Sequence, residues 1–123
     1  MRSEITIGKR TLPREGFQRP YIIAEAGVNH EGDLQTALAM VRSAAQAGAD
    51  AIKFQTYKAE TLASRHSPFY WDITKEPTRS QYELFKKYDG LEDRDYEALA
   101  QAARDCGIDF MSTPFDLRAV DVL

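Results

Sequence analysis

Two stretches of this chain repeat one pattern: a helical segment, a glycine, a short turn and a strand. Gly48-Ala49-Asp50-Ala51-Ile52-Lys53 parallels Gly107-Ile108-Asp109-Phe110-Met111-Ser112. Leu34, Ala37, Leu38, Val41, Ala44 and Ala45 precede the first glycine at helical spacing, and Tyr96, Leu99, Ala100 and Ala103 precede the second. Glycine ends a helix readily because it enters the left-handed region without Cβ strain. A further strand comes earlier, at Tyr21-Ile22-Ile23-Ala24-Glu25, an almost continuous apolar run of the kind found in parallel sheets covered on both faces. Thr113-Pro114-Phe115-Asp116 then leads into one more helix. The order is β-α-β-α-β-α, which dictates an α/β fold with parallel strands.

Around this frame, Asp33 is placed to cap the first helix, and Ile5 to Leu12 reads as a β-hairpin turning at Gly8 and Lys9. Residues 13–20 form a connector. Residues 56–80, with Pro68 and Pro77, form a long connection of the kind that is functional or mobile, and Gln81 to Tyr88 reads as a short helix. Three strands do not close a barrel, and a (β/α)₈ barrel takes roughly 250 residues. Two architectures therefore fit the pattern. One is the N-terminal portion of a TIM barrel, with residues 1–20 as hairpin and connector and 21–123 as the first three β/α units. The other is a small open three-stranded domain.

Composition narrows the classes. With 19 acidic against 16 basic residues, the chain lacks the charge excess of a nonspecific nucleic-acid binder. No apolar run approaches about 18 residues, so no membrane span is expected, and the N-terminus has no signal-peptide core. A cytoplasmic location is the default expectation. A single cysteine, Cys106, excludes an internal disulfide and a Cys-rich zinc site. It lies on an apolar helical position and is expected to be a buried structural thiol.

The unexpected polar residues gather where α/β folds bind ligands, at the C-terminal ends of strands. Glu25 ends the first strand, with Asn29 and His30 in the loop after it; Lys53 and Gln55 end the second; Ser112 and Thr113 end the third. Alternation puts Ile52 and Phe54, like Ile22 and Ala24, toward the helices, and turns Glu25, Lys53 and Gln55 inward. Counting from the two glycines sets Ser112 level with Lys53 and leaves Thr113 beyond the regular strand. An inward lysine needs an anion. Either Glu25 supplies it, or a bound phosphate or carboxylate does, with hydroxyl donors at Ser112 and Thr113. Glu25 is accordingly an ion-pair partner or a general base. His30 orders a turn, and no two-histidine metal site with His66 is expected. Phe69, Tyr70 and Trp71 either pack the long loop onto the barrel or form a lid. Lys86-Lys87 reads as a solvated face.

Three segments resemble one family. Ile22 to Gly32 (IIAEAGVNHEG), Gly48 to Thr56 (GADAIKFQT) and Phe110 to Asp116 (FMSTPFD) are similar, in order, to the first three strands and loops of sialic acid synthases. The resemblance implies a TIM barrel followed by a C-terminal antifreeze-like domain that lies outside this chain, in a domain-swapped homodimer. It implies condensation of phosphoenolpyruvate with N-acetylmannosamine or a related sugar to a nine-carbon acid, with release of phosphate. It also implies a divalent metal, manganese or magnesium, that polarises the sugar aldehyde through histidine ligands outside this chain, so none of the present residues is expected to bind metal. By position, Lys53 and Thr113 would contact phosphoenolpyruvate, Gln55 the sugar, and Glu25 the attacking water. Where some members carry a sugar-contacting asparagine in the long loop, the nearest residue here is Glu76, which leaves the acceptor among sialic, legionaminic and pseudaminic precursors open. On this reading the chain is a piece of the enzyme and is inactive alone. Two other readings stand beside it: a class I aldolase with Lys53 as Schiff-base lysine, and a non-enzymatic phosphosugar-binding half-barrel.

Overall fold

The computed structural model describes residues 4–16 and 18–123. Met1–Ser3 of the N-terminal reading and Phe17 of the connector lie outside the described residues. The expected hairpin forms from β1 (Glu4–Ile7) and β2 (Arg10–Pro13), paired antiparallel with Ile7 opposite Arg10. Gly8 turns it with φ +56°. A second, three-stranded sheet is parallel, in the order β3 (Ile23–Gly27), β4 (Ala51–Thr56), β5 (Asp109–Pro114). Between these strands lie α1 (Leu34–Gln46), α2 (Ala59–Leu62), α3 (Gln81–Tyr88) and α4 (Asp93–Asp105), and α5 (Leu117–Val122) follows β5. The hairpin and the α/β fold with a parallel sheet read from the sequence are therefore present. Only the single turn of α2, inside the long connection, had no sequence signal.

Capping chemistry explains the helix ends. Asp33 accepts the Thr36 N–H at 2.6 Å, and Ser80 accepts that of Glu83 at 3.1 Å. After α1, Gly48 at φ +81° donates to the Ala45 carbonyl and Ala49 to that of Ala44; after α4, Gly107 at φ +75° donates to Arg104 and Ile108 to Ala103. Both are Schellman closures, so the two glycine stops are one structural device used twice.

The core lies between one face of the parallel sheet and helices α1 and α4. Ile52 and Phe54 bury there against Val41 and Ala44 of α1 and Tyr96, Leu99 and Ala103 of α4, with Ala24 and Phe110 alongside. The opposite face is open: Ile23 is 43% exposed and the side chains of Glu25 and Lys53 keep 50% and 32% of their surface. Ile22, expected on the helix face, precedes β3 and is exposed. Its backbone does the work instead, donating to Asp50 Oδ2 at 2.7 Å and accepting from the N–H groups of Asp50 and Ala51.

Cys106 is exposed, against the expectation of a buried thiol. It continues the apolar stripe of α4 in angle, but it is the C-cap residue, beyond Ala103, the last buried position of the helix.

Candidate functional site

Strand register assembles the site and revises part of the sequence reading. Glu25 pairs with Lys53 across β3 and β4, Lys53 with Met111 across β4 and β5, Phe54 with Ser112, and Gln55 with Thr113. Ser112 is thus one residue out of step with its expected level beside Lys53. It shares the Phe54 face, and its hydroxyl bonds Thr56 Oγ1 at 2.6 Å. Thr56 is itself buried. Ser112 is therefore turned from the open face, and its expected level beside Lys53 is corrected. Thr113, expected past the strand, lies within β5. The Phe110–Ser112 alternation carried this information, since an apolar Phe110 facing the helices sends Ser112 the same way.

On the open face the geometry is close. Lys53 Nζ lies 2.5 Å from Glu25 Oε2 and 3.5 Å from Thr113 Oγ1, so residues of three adjacent strands meet at one ammonium. Of the two anions open to Lys53 in the sequence, the internal one is in place. Between Glu25 and Gly27 the β3–β4 register slips by one residue, and Gly27 adopts φ +54°. A Cβ at Gly27 would stand 3.6 Å from Glu25 Oε1 and 3.9 Å from Gln55 Nε2, so this glycine keeps a side-chain-free surface flanked by both. From behind the sheet, the buried Tyr96 hydroxyl donates to the Gln55 carbonyl at 3.1 Å and fixes the end of β4. Sequence reading took Tyr96 as core only.

His30 does order its turn. It is 2% exposed, its Nδ1 accepts the Gly32 N–H at 3.0 Å, and its ring lies 5.9 Å from that of Phe54. Burial holds its pKa below the usual 6.5, opposed by the Asp33 carboxylate. Among the described residues, no three His, Cys, Asp or Glu side chains group as a metal cage requires.

The long connection is tied to itself. Trp71 Nε1 donates to the carbonyls of Glu76 and Thr78, and Tyr70 meets Trp71 edge-on at 5.2 Å. Tyr70 is 77% exposed, so the aromatic cluster packs within the loop. Glu76 pairs with Lys87 at 2.9 Å, and this hydrogen bond holds its carboxyl below the usual range. Lys86 and Lys87 lie on an exposed face, as read, each in an ion pair.

Two residues escaped the sequence reading although the repeat marks both. Asp50 and Asp109, each two residues past a helix-ending glycine, anchor the N-terminal segment at the opposite ends of the strands. Asp50 pairs with Arg10 at 3.1 Å and with Arg19, and Asp109 accepts the Tyr21 hydroxyl. They border a cavity of about 420 Å³ beneath the hairpin.

Parallel strands backed by helices on one face, with an acid, an ammonium and a hydroxyl converging at their C-terminal ends, define an α/β domain of the kind that binds its ligand beyond the strand ends. Residues 40–123 match the NeuB family, and the chain belongs to it. It is 43% identical over 113 residues to N,N'-diacetyllegionaminic acid synthase of Legionella pneumophila, covering 90% of this chain and 32% of that protein. It is 35% identical over 109 residues to human N-acetylneuraminate-9-phosphate synthase, covering 88% of this chain and 30% of that one. The crystal structure of N-acetylneuraminic acid (sialic acid) synthetase from Leptospira borgpetersenii superposes with a TM-score of 0.77 at 35% identity, over 98% of this chain and 37% of that one. The chain thus spans about a third of the length of these relatives. The family resemblance read from the three motifs is borne out.

Proposed function

We propose that residues 21–123 are the first three β/α units of a TIM barrel, entered through the hairpin and connector of 1–20. The complete protein then condenses phosphoenolpyruvate with N-acetylmannosamine or a related acylamino sugar to a nine-carbon acid. The observation that carries this reading is the Lys53 ammonium held between Glu25 and Thr113 on an open sheet face at the strand ends. An ammonium with a hydroxyl beside it suits the phosphate and carboxylate of phosphoenolpyruvate. The synthases among its relatives support the reaction class.

This chain's side chains serve the reaction in three ways. Lys53 and Thr113 orient phosphoenolpyruvate. Its C2–C3 π electrons form the new bond from C3 to the sugar aldehyde carbon, whose oxygen takes up a proton. Water adds at C2 as Glu25 accepts its proton. The bond from C2 to the phosphate oxygen then breaks, phosphate departs with the proton of the new C2 hydroxyl, and the keto acid remains, while the proton taken by Glu25 returns through solvent to the former aldehyde oxygen. Gln55, two residues above Lys53 on the same face, is placed to hold the sugar. Ser112 has no part in this scheme.

The described residues do not fit the divalent ion, manganese or magnesium, that the resemblance implies. His30 is buried with Nδ1 already engaged, and no acidic or histidine cluster accompanies it. Its ligands are proposed to lie outside this chain. The domain-swapped homodimer and the cytoplasmic location belong to the same proposal. Among the described residues, no helix is long and apolar enough to cross a membrane.

The test uses the protein from the complete reading frame that contains this chain. It is expected to release phosphate from phosphoenolpyruvate only when an acylamino sugar is added, and Lys53→Met should lower kcat/KM at least ~100-fold. Gln55→Ala should raise KM for the sugar with little change for phosphoenolpyruvate. Borohydride trapping of pyruvate on Lys53 would replace this reading with the aldolase one.

A further inference from the structure

We infer that the Glu25–Lys53 ion pair is a gate: phosphoenolpyruvate takes Lys53 from Glu25, and only then is the carboxylate free to act as base. The inference rests on the function proposed above. Among the described residues Lys53 is the one ion-pair partner of Glu25, at 2.5 Å, and the carboxylate is half exposed, so it is held by a single replaceable contact. Thr113, 3.5 Å away on the far side of Lys53, is the contact that an incoming anion keeps.

The released carboxylate has somewhere to go. Gly27 presents no side chain between Glu25 and the Gln55 amide: the position its Cβ would take lies 3.6 Å from Glu25 Oε1 and 3.9 Å from Gln55 Nε2. Moving there takes the negative charge off Lys53 and toward a hydrogen-bond donor on the sugar side of the site. The order of events follows. While Lys53 holds Glu25, Oε2 is committed to the ammonium; once an anion occupies Lys53, that oxygen is released and base and reacting carbon are brought together. Water activation is thereby tied to the presence of the enol substrate.

The experiment is titration of phosphoenolpyruvate, without sugar, into the complete protein and into Glu25→Gln and Glu25→Asp, with manganese present throughout and folding checked by circular dichroism. Removing a competitor tightens binding, so Kd is expected to fall about fivefold in Glu25→Gln, the scale of a partly screened ion pair. Glu25→Asp keeps the charge but withdraws it from Lys53 by one methylene, and it should tighten binding as well. Phosphate release in the presence of sugar should fall at least ~100-fold in Glu25→Gln. Unchanged or weaker binding in Glu25→Gln would overturn the gate. So would tightening by Gln without tightening by Asp, which is what charge repulsion without pairing produces. Absence of binding by the unmodified protein would instead sink the proposed function.

Discussion

Neighbouring residues of a strand face opposite ways, and Ser112 and Thr113 turn that rule into a prediction. Ser112 satisfies the buried Thr56 hydroxyl, whereas Thr113 lies on the open face beside Lys53. Ser112→Ala is expected to cost about 1 kcal/mol of stability, the penalty of a buried hydroxyl losing its partner. Thr113→Ala should leave stability nearly unchanged and weaken phosphoenolpyruvate binding. Denaturant midpoints and ligand titrations on the two variants separate these outcomes, and the reverse assignment would refute the observed register. The inward set of Glu25, Lys53 and Gln55 was legible because alternation depends only on chain geometry. The level of Ser112 was not legible by counting from the glycines. That count measures distance from the helix ends, while register is decided by which apolar residues, Ile52 and Phe110 among them, pack against α1 and α4.

At the scale of elements, the ends of helices and turns carry much of the specification, and they were legible where a residue type has one physical use. Asp33, Gly48 and Gly107 were of this kind. Asp33→Ala should lower the thermal midpoint through loss of the Thr36 cap. The hairpin turn is more exacting. Gly8 has φ +56°, and a Cβ there would overlap the Asp109 carboxylate, the group that also receives the Tyr21 hydroxyl. Gly8→Ala therefore combines backbone strain with displacement of the hairpin from the start of β5. It is expected to lower the thermal midpoint more than Gly48→Ala, where a Cβ would meet nothing within 4 Å. Equal effects would mean that strain alone matters and that Asp109 gives way freely. The hairpin itself was readable from local alternation. The docking of the N-terminal segment on Asp50 through Arg10 and on Asp109 through Tyr21 was not, because contacts between residues 40 or 88 apart leave no local trace. The ordering of the 56–80 connection was hidden for the same reason: Lys58 binds the carbonyls of Asp89 and Leu91, and Ala59 N–H binds the buried Asp89 carboxylate.

For the whole molecule these local arrangements add up to a stability that declines with acid in two separable stages. The first belongs to His30. Burial depresses its folded pKa below 6.5, so the unfolded chain binds the proton more readily, and stability rises with pH. The contribution is complete above pH 6.5 and is lost as the pH falls from there through the folded value. Protonation would also place a hydrogen on Nδ1, where the Gly32 N–H now donates, and so loosen the loop that follows Glu25. The second stage belongs to carboxylates held below their usual 3.8: Asp33 by Thr36, Asp50 by the Ile22 N–H and its arginines, Asp116 by the Thr61 hydroxyl and the Ala119 N–H. Their contributions are full above 3.8 and disappear as the pH falls through the lower folded values. Thermal midpoints of the complete protein between pH 8 and pH 3 should show both declines. His30→Asn, whose amide oxygen overlays Nδ1 and still accepts from Gly32, should remove the decline that begins near pH 6.5 and keep the acid one. Persistence of the first decline in that variant would assign it to another group and leave His30 as a packed hinge of the loop alone.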